Sequence, residues 1–263
     1  MKLEGKTVII TSNSSVFLKL TKLLIENSGK SRSDFIVVAE KGLPFKDRFR
    51  KRIEKIGFLT AVDEWLYTKY EALFNHWEKA ERKHLKDIDI SSFDPDILTD
   101  TVNKSISSVF NQLRTYEAQN IISIGSGYIP TILIKQYSVK INIHPGILPN
   151  YKGIGSPEAI MRGDNSFLGW SLHDLETKID SGSIIHNQTI SFKILEKMTF
   201  AEVYITIYRS AIMGFYLTIN NTNNSEMNFN SHTKYFAFVR FTLFIKYKFK
   251  PAHNKVDGSA RIN

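Results

Sequence analysis

Apolar and polar positions in the N-terminal part of the chain alternate between strand-like and helix-like periods. Short apolar runs typical of buried strands cover residues 7–11, 35–39 and 120–125. Apolar side chains at helical spacing follow the first run over residues 16–27, and Ser12–Ser15 provides polar residues suited to cap that helix. Strands that alternate with helices predict an α/β fold, a Rossmann-like, doubly wound and mostly parallel sheet.

Further elements are predicted by the same periods. They are a short strand at 88–90, helices at 104–117, 131–136 and 196–217, and strands at 140–144 and 183–190. Thr199 is a candidate N-cap for the last helix. Because ligands of open α/β sheets bind beyond the carboxyl ends of the strands, the end of strand 140–144 is where a site is expected.

Residues 41–87 interrupt the alternation. Residues 45–56 form a basic amphipathic pattern, and an apolar stripe continues from there to residue 79, which predicts a helical hairpin or a bent helix inserted between two strands. Three roles are open for this segment: a packing element or dimer contact at a sheet edge, a helix on a membrane surface, or a contact to a polynucleotide. Packing or dimerisation is favoured.

The C-terminal part combines an Asn-rich stretch at 220–230 with alternating aromatic and basic residues from 234 onward. Interleaved aromatic and basic side chains could stack nucleic-acid bases. A period of two is more typical of a half-buried strand or hairpin, which is the favoured interpretation.

The composition is that of a globular protein, with 263 residues, 42% hydrophobic and 23% charged. The sequence has no cysteine, which excludes disulfides, thiolate nucleophiles and cysteine metal sites. The N-terminus lacks a signal-peptide pattern, and no apolar run approaches the roughly 20 residues that span a bilayer, so we expect a cytoplasmic protein without an integral membrane segment. The net charge of +9 fits either a phosphate-bearing partner or a lysine-rich surface.

Candidate chemistry is concentrated in three side chains, Asn142, His144 and Asp180. Asn142 and His144 are two residues apart on a predicted strand, so they point to the same side of it. An amide can stabilise an oxyanion, an imidazole can move a proton, and a carboxylate can orient and accept. Each residue alone could be structural, but together they suit the transfer of an acyl group to an amine.

The segment from Asn142 to Gly153, followed by Asp180-Ser181-Gly182, resembles the folate-dependent formyltransferase family. That family includes glycinamide ribonucleotide transformylases, methionyl-tRNA formyltransferases and sugar N-formyltransferases. Its pattern is Asn-x-His, a proline, a Leu-Pro-x-Tyr/Phe-x-Gly loop, and a later Asp just before a Gly. The residues that fit the loop are Leu148, Pro149, Tyr151 and Gly153.

The resemblance implies the formyltransferase fold, with residues 1–190 as the catalytic domain and 191–263 as a short C-terminal extension. It implies N10-formyltetrahydrofolate as co-substrate. It also implies that Asn142 stabilises the oxyanion, that His144 stabilises it or relays a proton, and that Asp180 orients His144 and takes a proton from the attacking ammonium.

The same resemblance implies that two loops hold the pterin. Their residues are Gly127, Tyr128, Ile129 and Pro130, and Leu175, Glu176, Thr177 and Lys178. Pro130 replaces the leucine usual in the family, and His173 and Asp174, just before the second loop, receive no role. No metal site is expected, since the other histidines fit no ligand spacing.

Substrate contacts are expected at two places. Ser12, Asn13 and Ser14 loosely resemble a phosphate loop without its glycines, although a helix cap is the favoured interpretation. The second place is Tyr151, Lys152 and Gly153, where the glycine lets the loop approach a substrate closely.

The acceptor is predicted by elimination within the family. The part after the last core strand is short for the tRNA-binding domain of methionyl-tRNA enzymes, and the glycine phosphate loop of glycinamide ribonucleotide enzymes is degraded. The remaining class acts on nucleotide-linked amino-deoxysugars for surface polysaccharide such as O-antigen, so a small-molecule partner is favoured over nucleic acid. A methionyl-tRNA or glycinamide ribonucleotide acceptor, an inactive nucleotide-binding relative, and a homodimer stay open.

Overall fold

The computed structural model describes residues 3–40, 45–98, 113–127, 129, 131–176, 178–221, 234–236, 242, 244 and 245. The strands in chain order are β1 (Thr7–Ser12), β2 (Phe35–Glu40), β3 (Asp96–Leu98), β4 (Asn120–Ile124), β5 (Val139–His144), β6 (Tyr151–Gly153), β7 (Gly169–Asp174), β8 (Ile184–Thr189) and β9 (Lys234–Phe236). The α-helices are α1 (Ser15–Glu26), α2 (Phe45–Ile56), α3 (Phe58–Leu73), α4 (His76–His84), α5 (Thr131–Ile134), α6 (Ser156–Arg162), α7 (Phe192–Leu195) and α8 (Phe200–Asn221).

Seven strands form one twisted sheet in the order β3-β2-β1-β4-β5-β7-β8. The strands from β3 to β5 run parallel, whereas β7 and β8 are antiparallel to their neighbours. The mostly parallel, doubly wound α/β fold predicted from the alternation of periods is therefore confirmed.

The sheet separates two apolar clusters, because successive side chains of a strand point to opposite faces. Ile9 belongs to the larger cluster, which includes residues of α1 and α8. Val8 and Ile10 belong to the smaller one, with residues of α5. Phe215 of α8 is fully buried in the larger cluster, so the helix after the last sheet strand is part of the core.

Both predicted helix caps are present. The side chain of Ser14 accepts a hydrogen bond from the Phe17 N–H and caps α1. Thr199 and Glu202 exchange hydrogen bonds between side chain and backbone at the start of α8, the reciprocal arrangement of a capping box. The last helix was predicted to begin at residue 196. It begins at Phe200, because a separate short helix, α7, precedes it.

The predicted strand at 88–90 is wrong. The Ile88 N–H is bonded to the Leu85 carbonyl in the turn after α4, and the Asp89 carboxylate accepts from the backbone and the hydroxyl of Ser91. Such local side-chain bonds compete with strand pairing, and the edge strand forms later, as β3. The predicted helix at 104–117 lies mostly outside the described residues. Within its described part, residues 113 and 114 are helical.

The inserted segment contains three helices, α2, α3 and α4, rather than one helical hairpin or one bent helix. Gly57 (φ 82°) and Asn75 (φ 51°) interrupt the helical path, since both adopt positive φ between helices. Arg52 donates two hydrogen bonds, of 2.8 and 2.7 Å, to the carboxylate of Glu64 and so connects α2 to α3. The α4 helix lies along α8.

The C-terminal extension returns to the main body of the molecule. β9 pairs in parallel with β6, which confirms a strand at the start of the aromatic and basic stretch. Phe244 is buried in ring contacts with Tyr67, Tyr70 and Phe200. Residues 242, 244 and 245 are helical, so the predicted strand or hairpin is wrong at these positions. The rest of it lies outside the described residues. No helix of the described segments has the length and apolar character needed to cross a bilayer.

Candidate active site

Strand β5 brings Asn142 and His144 to the carboxyl end of the sheet on the same side. Asn142 lies opposite Ser123 of β4 and opposite His173 of β7 in the sheet register. The backbone then turns at Pro145 and Gly146. His144 is 2% exposed, so its imidazole is part of the protein interior rather than the surface.

Asp180 meets both β5 side chains, although it is far from them in sequence. Its Oδ1 lies 3.3 Å from Asn142 Nδ2 and 3.5 Å from His144 Nδ1. Its Oδ2 accepts the Gly153 N–H at 2.8 Å. The three side chains selected from the sequence are therefore in one cluster.

His144 is fixed by the loop that follows it. Its Nε2 lies 2.7 Å from the carbonyl oxygen of Tyr151, and a carbonyl can only accept, so Nε2 carries the proton. Nδ1 is left facing Asp180. The loop packs so closely on the ring that it has no room for a side chain at Gly146. A Cβ there would lie 3.0 Å from His144 Nε2 and 2.6 Å from the Gly155 Cα.

His173 is a member of the cluster that sequence reasoning missed. Its Nδ1 donates to the Asp174 carbonyl at 2.8 Å, and its Nε2 lies 2.9 Å from Asn142 Nδ2 and 3.5 Å from Asp180 Oδ1. It is 2% exposed. The available signal was a histidine in a short segment that alternates with the apolar Trp170 and Leu172. The antiparallel register that pairs it with Asn142 could not be inferred from the sequence.

The electrostatics of the cluster favour a charged Asp180. Burial alone would raise the pKa of this carboxyl, but attraction to the imidazolium form of His144 and the hydrogen bond from the Gly153 N–H hold it well below its usual range. Burial lowers the pKa of His144, and the Asp180 charge opposes this only in part. At neutral pH the cluster thus holds a carboxylate beside a neutral imidazole.

A cavity of about 800 Å³ opens on this cluster and contains Asn142, His144, His173 and Asp180 in its wall. Five residues of the predicted pterin loops also line it: Gly127, Ile129, Leu175, Glu176 and Lys178. Tyr128, Pro130 and Thr177 lie outside the described residues. The Gly127 N–H donates to Glu40 at 2.8 Å, and burial raises the pKa of that carboxyl.

The predicted substrate residues divide into two groups. Gly153 lines the cavity, while Tyr151 is buried beside it and donates from its hydroxyl to Asp164. The cavity lining, as far as the structure describes it, does not include Lys152, which lies between those two residues. It also does not include Ser12, Asn13 and Ser14. The Asn13 N–H is bonded to the Glu40 carbonyl, and Ser14 caps α1.

Two elements that the sequence did not connect with the site form another part of the wall. From the inserted segment, residues of α3, α4 and the turn between them line the cavity, among them Glu71, Trp77 and Glu78. From α8, Tyr204 and Tyr208 line it. Among the described side chains, no group of three or more His, Asp or Glu is arranged to hold a metal ion.

The family model of the formyl transferases matches residues 6–210, from the start of β1 into α8. This chain belongs to the formyl transferase family. The match contains β5, β7 and the turn that carries Asp180, so the cluster lies inside the part common to this family.

Individual formyltransferases are more distant. A methionyl-tRNA formyltransferase from Mycoplasmopsis pulmonis is 25% identical over 149 residues, which cover 56% of this chain and 47% of that protein. The chain thus spans about half the length of this curated relative.

Solved structures of formyltransferases share the fold. A 4-N formyltransferase from Francisella tularensis superposes with a TM-score of 0.52 and 17% identity, over 88% of this chain and 75% of that chain. A glycinamide ribonucleotide transformylase from Symbiobacterium toebii gives 0.51 and 14%, over 81% and 85%. At these identities the likeness establishes the fold and does not separate one acceptor from another.

Proposed function

We propose that this protein transfers a formyl group from N10-formyltetrahydrofolate to the primary amine of a nucleotide-linked amino sugar. The observation that carries the proposal is the meeting of Asn142, His144 and Asp180 in the wall of one cavity. Family membership supports the formyl-transfer class. In the reaction the amine attacks the formyl carbon, the bond from that carbon to N10 breaks, and a proton passes from the amine to N10.

Asn142 is the proposed oxyanion donor. Its Nδ2 has two hydrogens, which face His173 at 2.9 Å and Asp180 at 3.3 Å. The longer contact is the weaker one, so a formyl oxygen can take that hydrogen while His173 keeps the amide in place. His173 is in this proposal a positioning residue. Loss of one such oxyanion donor costs roughly 10²–10³ in rate.

His144 and Asp180 are proposed to handle the proton together. A neutral Nδ1 can take a proton from the attacking amine and pass it to the leaving nitrogen, a role worth roughly 10²–10⁴ in rate. The lowered pKa of Asp180 makes it a weak base, which favours its orienting role over direct acceptance of a proton. Its charge stabilises the imidazolium that forms 3.5 Å away.

The folate is proposed to enter along the loops that contain Gly127 and Lys178, which line the same cavity. A volume of about 800 Å³ is within the range of small-molecule sites. We place the reaction in the cytoplasm as part of surface-polysaccharide synthesis, and the lack of cysteine fits a reducing compartment.

A panel of amines tests the proposal. The protein is incubated with N10-formyltetrahydrofolate and, in separate reactions, dTDP-, UDP- and GDP-linked amino sugars, glycinamide ribonucleotide and charged initiator tRNA. We expect one of the amino-sugar nucleotides to gain the mass of one formyl group. A gain confined to glycinamide ribonucleotide or to tRNA would reject the sugar, and no gain with any amine would reject the activity.

Methionyl-tRNA is the second candidate acceptor, because a methionyl-tRNA formyltransferase is among the curated relatives. The net charge of +9 would suit a polynucleotide. The tRNA reaction in the panel decides between the two acceptors.

A further inference from the structure

We infer that the inserted helices α3 and α4 form the acceptor-binding wall of the cavity, and that this wall recognises a hydroxyl-bearing, uncharged or cationic ring rather than phosphate. The inference rests on the proposed function, which assigns the loops around Gly127 and Lys178 to the folate. Side chains of the insertion then remain for the acceptor. They include the polar and aromatic side chains of Thr68, Glu71, Asn75, Trp77 and Glu78.

Packing alone does not account for these side chains. The α4 helix is held against the body by buried Ala80 and by Lys83, which donates to Glu202 of α8 at 2.6 Å. Trp77, on the cavity wall, remains 39% exposed. Asn75 and Glu78 are exposed as well. These side chains therefore keep surface that a ligand in the cavity can contact.

Glu71 is a buried carboxylate in this wall, with 6% of the residue exposed. Its Oε1 accepts from the Tyr67 hydroxyl at 2.8 Å and lies 3.1 Å from His76 Nδ1. Within the described part of the chain, both of these contacts use Oε1, which leaves Oε2 able to accept from a ligand. Because Glu71 lies in the cavity wall, this oxygen can accept a hydrogen bond from a ligand hydroxyl or amine.

The charge of the lining determines the chemistry of this ligand. Four of the described lining residues are acidic: Glu71, Glu78, Glu176 and Asp180. Among the same residues, Lys178 is the only lysine or arginine. Phosphate groups are bound by cations or by free backbone N–H groups. The inserted wall offers carboxylates, an amide and aromatic faces, which accept from hydroxyl and ammonium groups and pack on apolar ring faces.

The start of α8 also borders the cavity through Phe200 and Ala201, but it is already capped. Thr199 accepts the Glu202 N–H, and the Glu202 carboxylate accepts the Thr199 N–H. A negative group therefore occupies the helix end that could otherwise bind phosphate. The phosphates of a nucleotide-linked acceptor must lie away from this wall.

Three variants and one control separate recognition from folding. Glu78→Gln removes one charge. Asn75→Gly removes an amide that makes no capping hydrogen bond and keeps the positive φ of this position. Trp77→Leu removes the ring but stays apolar. Glu54→Gln on α2 is the matched control, because Glu54 is exposed and is not among the described residues lining the cavity.

Steady-state kinetics are measured with the amino-sugar nucleotide that gains the formyl group in the panel. We expect the KM for this acceptor to rise about five-fold or more in each of the three variants, the effect of losing about 1 kcal/mol of contact. We expect kcat and the KM for the folate to stay within about two-fold, and Glu54→Gln to match the wild type. The inhibition constant of the free nucleoside diphosphate should not change, since its phosphates lie elsewhere.

Each other outcome rejects a defined claim. A wild-type chain that formylates its acceptor, with an unchanged acceptor KM in all three variants, would overturn this inference and leave the proposed function intact. A rise in the folate KM instead would assign the wall to the folate. A nucleoside diphosphate that binds the Glu78→Gln variant more tightly would place phosphate at the wall. A wild-type chain that formylates no amine of the panel overturns both.

Discussion

Asp180 is held in place by its backbone conformation and by its hydrogen bonds. It adopts a left-handed backbone conformation (φ 50°), which Asp tolerates better than most residues, and this turn points its carboxylate at Asn142 and His144. The Gly153 N–H fixes the other oxygen. A backbone donor of this kind keeps the carboxylate oriented before any substrate arrives.

The triad roles can be tested by truncation. Asn142→Ala and Asp180→Ala should each lower kcat/KM about 10²-fold or more, because each removes a donor or charge that acts on the transition state. Steady-state formylation rates measure the loss, and circular dichroism checks that the fold is kept. Asn165→Ala and Asp94→Ala are controls outside the described cavity lining. Near wild-type turnover in either triad variant would remove its assigned role.

The titration of His144 follows from its burial. We expect its pKa to lie below about 6.5, the usual histidine value, because burial disfavours the cation. Asp180→Asn should lower that pKa further, since the Asp180 charge raises it. NMR of the labelled imidazole from pH 8 downward measures both values. A wild-type pKa above the working pH would mean that the resting protein holds His144 as a cation.

The burial of His144 also makes the stability of the fold depend on pH. Because the folded pKa is lowered, the unfolded chain binds more protons below about pH 6.5. The contribution of His144 to stability is therefore fully present above that pH and is lost as the pH falls through the folded pKa.

At the scale of elements, the loop from Pro145 to Gly155 holds His144 in place by close backbone contact. Gly155 has a φ of 70°, and a Cβ there would lie 2.2 Å from the Pro145 carbonyl oxygen. Gly155→Ala should lower the free energy of unfolding by about 3 kcal/mol and reduce activity, because backbone strain and a backbone clash act together. Thermal or denaturant unfolding measures the change.

Gly29→Ala is the matched control for this loop. Gly29 has a similar φ of 67° but nothing within 4 Å of its Cβ position. Only backbone strain should act there, at about 1 kcal/mol. Equal losses in the two variants would show that the close approach of the loop contributes nothing.

The net charge of +9 leads to a prediction at the scale of the whole molecule. With an amino-sugar nucleotide, the acceptor KM should change by less than about ten-fold between 50 and 200 mM salt. A polynucleotide held by 6–10 phosphate contacts would lose about 10³–10⁵ in affinity over this range. A salt dependence as steep as the latter would favour tRNA.

Two further expectations for the whole molecule remain predictions. They are the formation of a homodimer and the division of the chain at residue 190 into a catalytic domain and a C-terminal extension.

The sequence by itself determined the central parallel strands of the sheet and the members of the triad. Periods of apolar residues identified β1, β2 and β4 because these strands are buried on both faces, and such runs are distinct in any tertiary context. Asn142 and His144 could be paired because a strand has a period of two. Asp180 was added through the family motif, not through any geometric rule.

Only the tertiary structure placed His173, β7 and the inserted helices beside the triad. The antiparallel register that sets His173 opposite Asn142 depends on how β7 joins the sheet, and no local pattern encodes that choice. The insertion was recognised as helical, but its breaks at Gly57 and Asn75 direct the chain back toward the cavity. Contacts between residues distant in sequence arise from the packing of whole elements, so the composition of this wall could not be predicted from the order of residues.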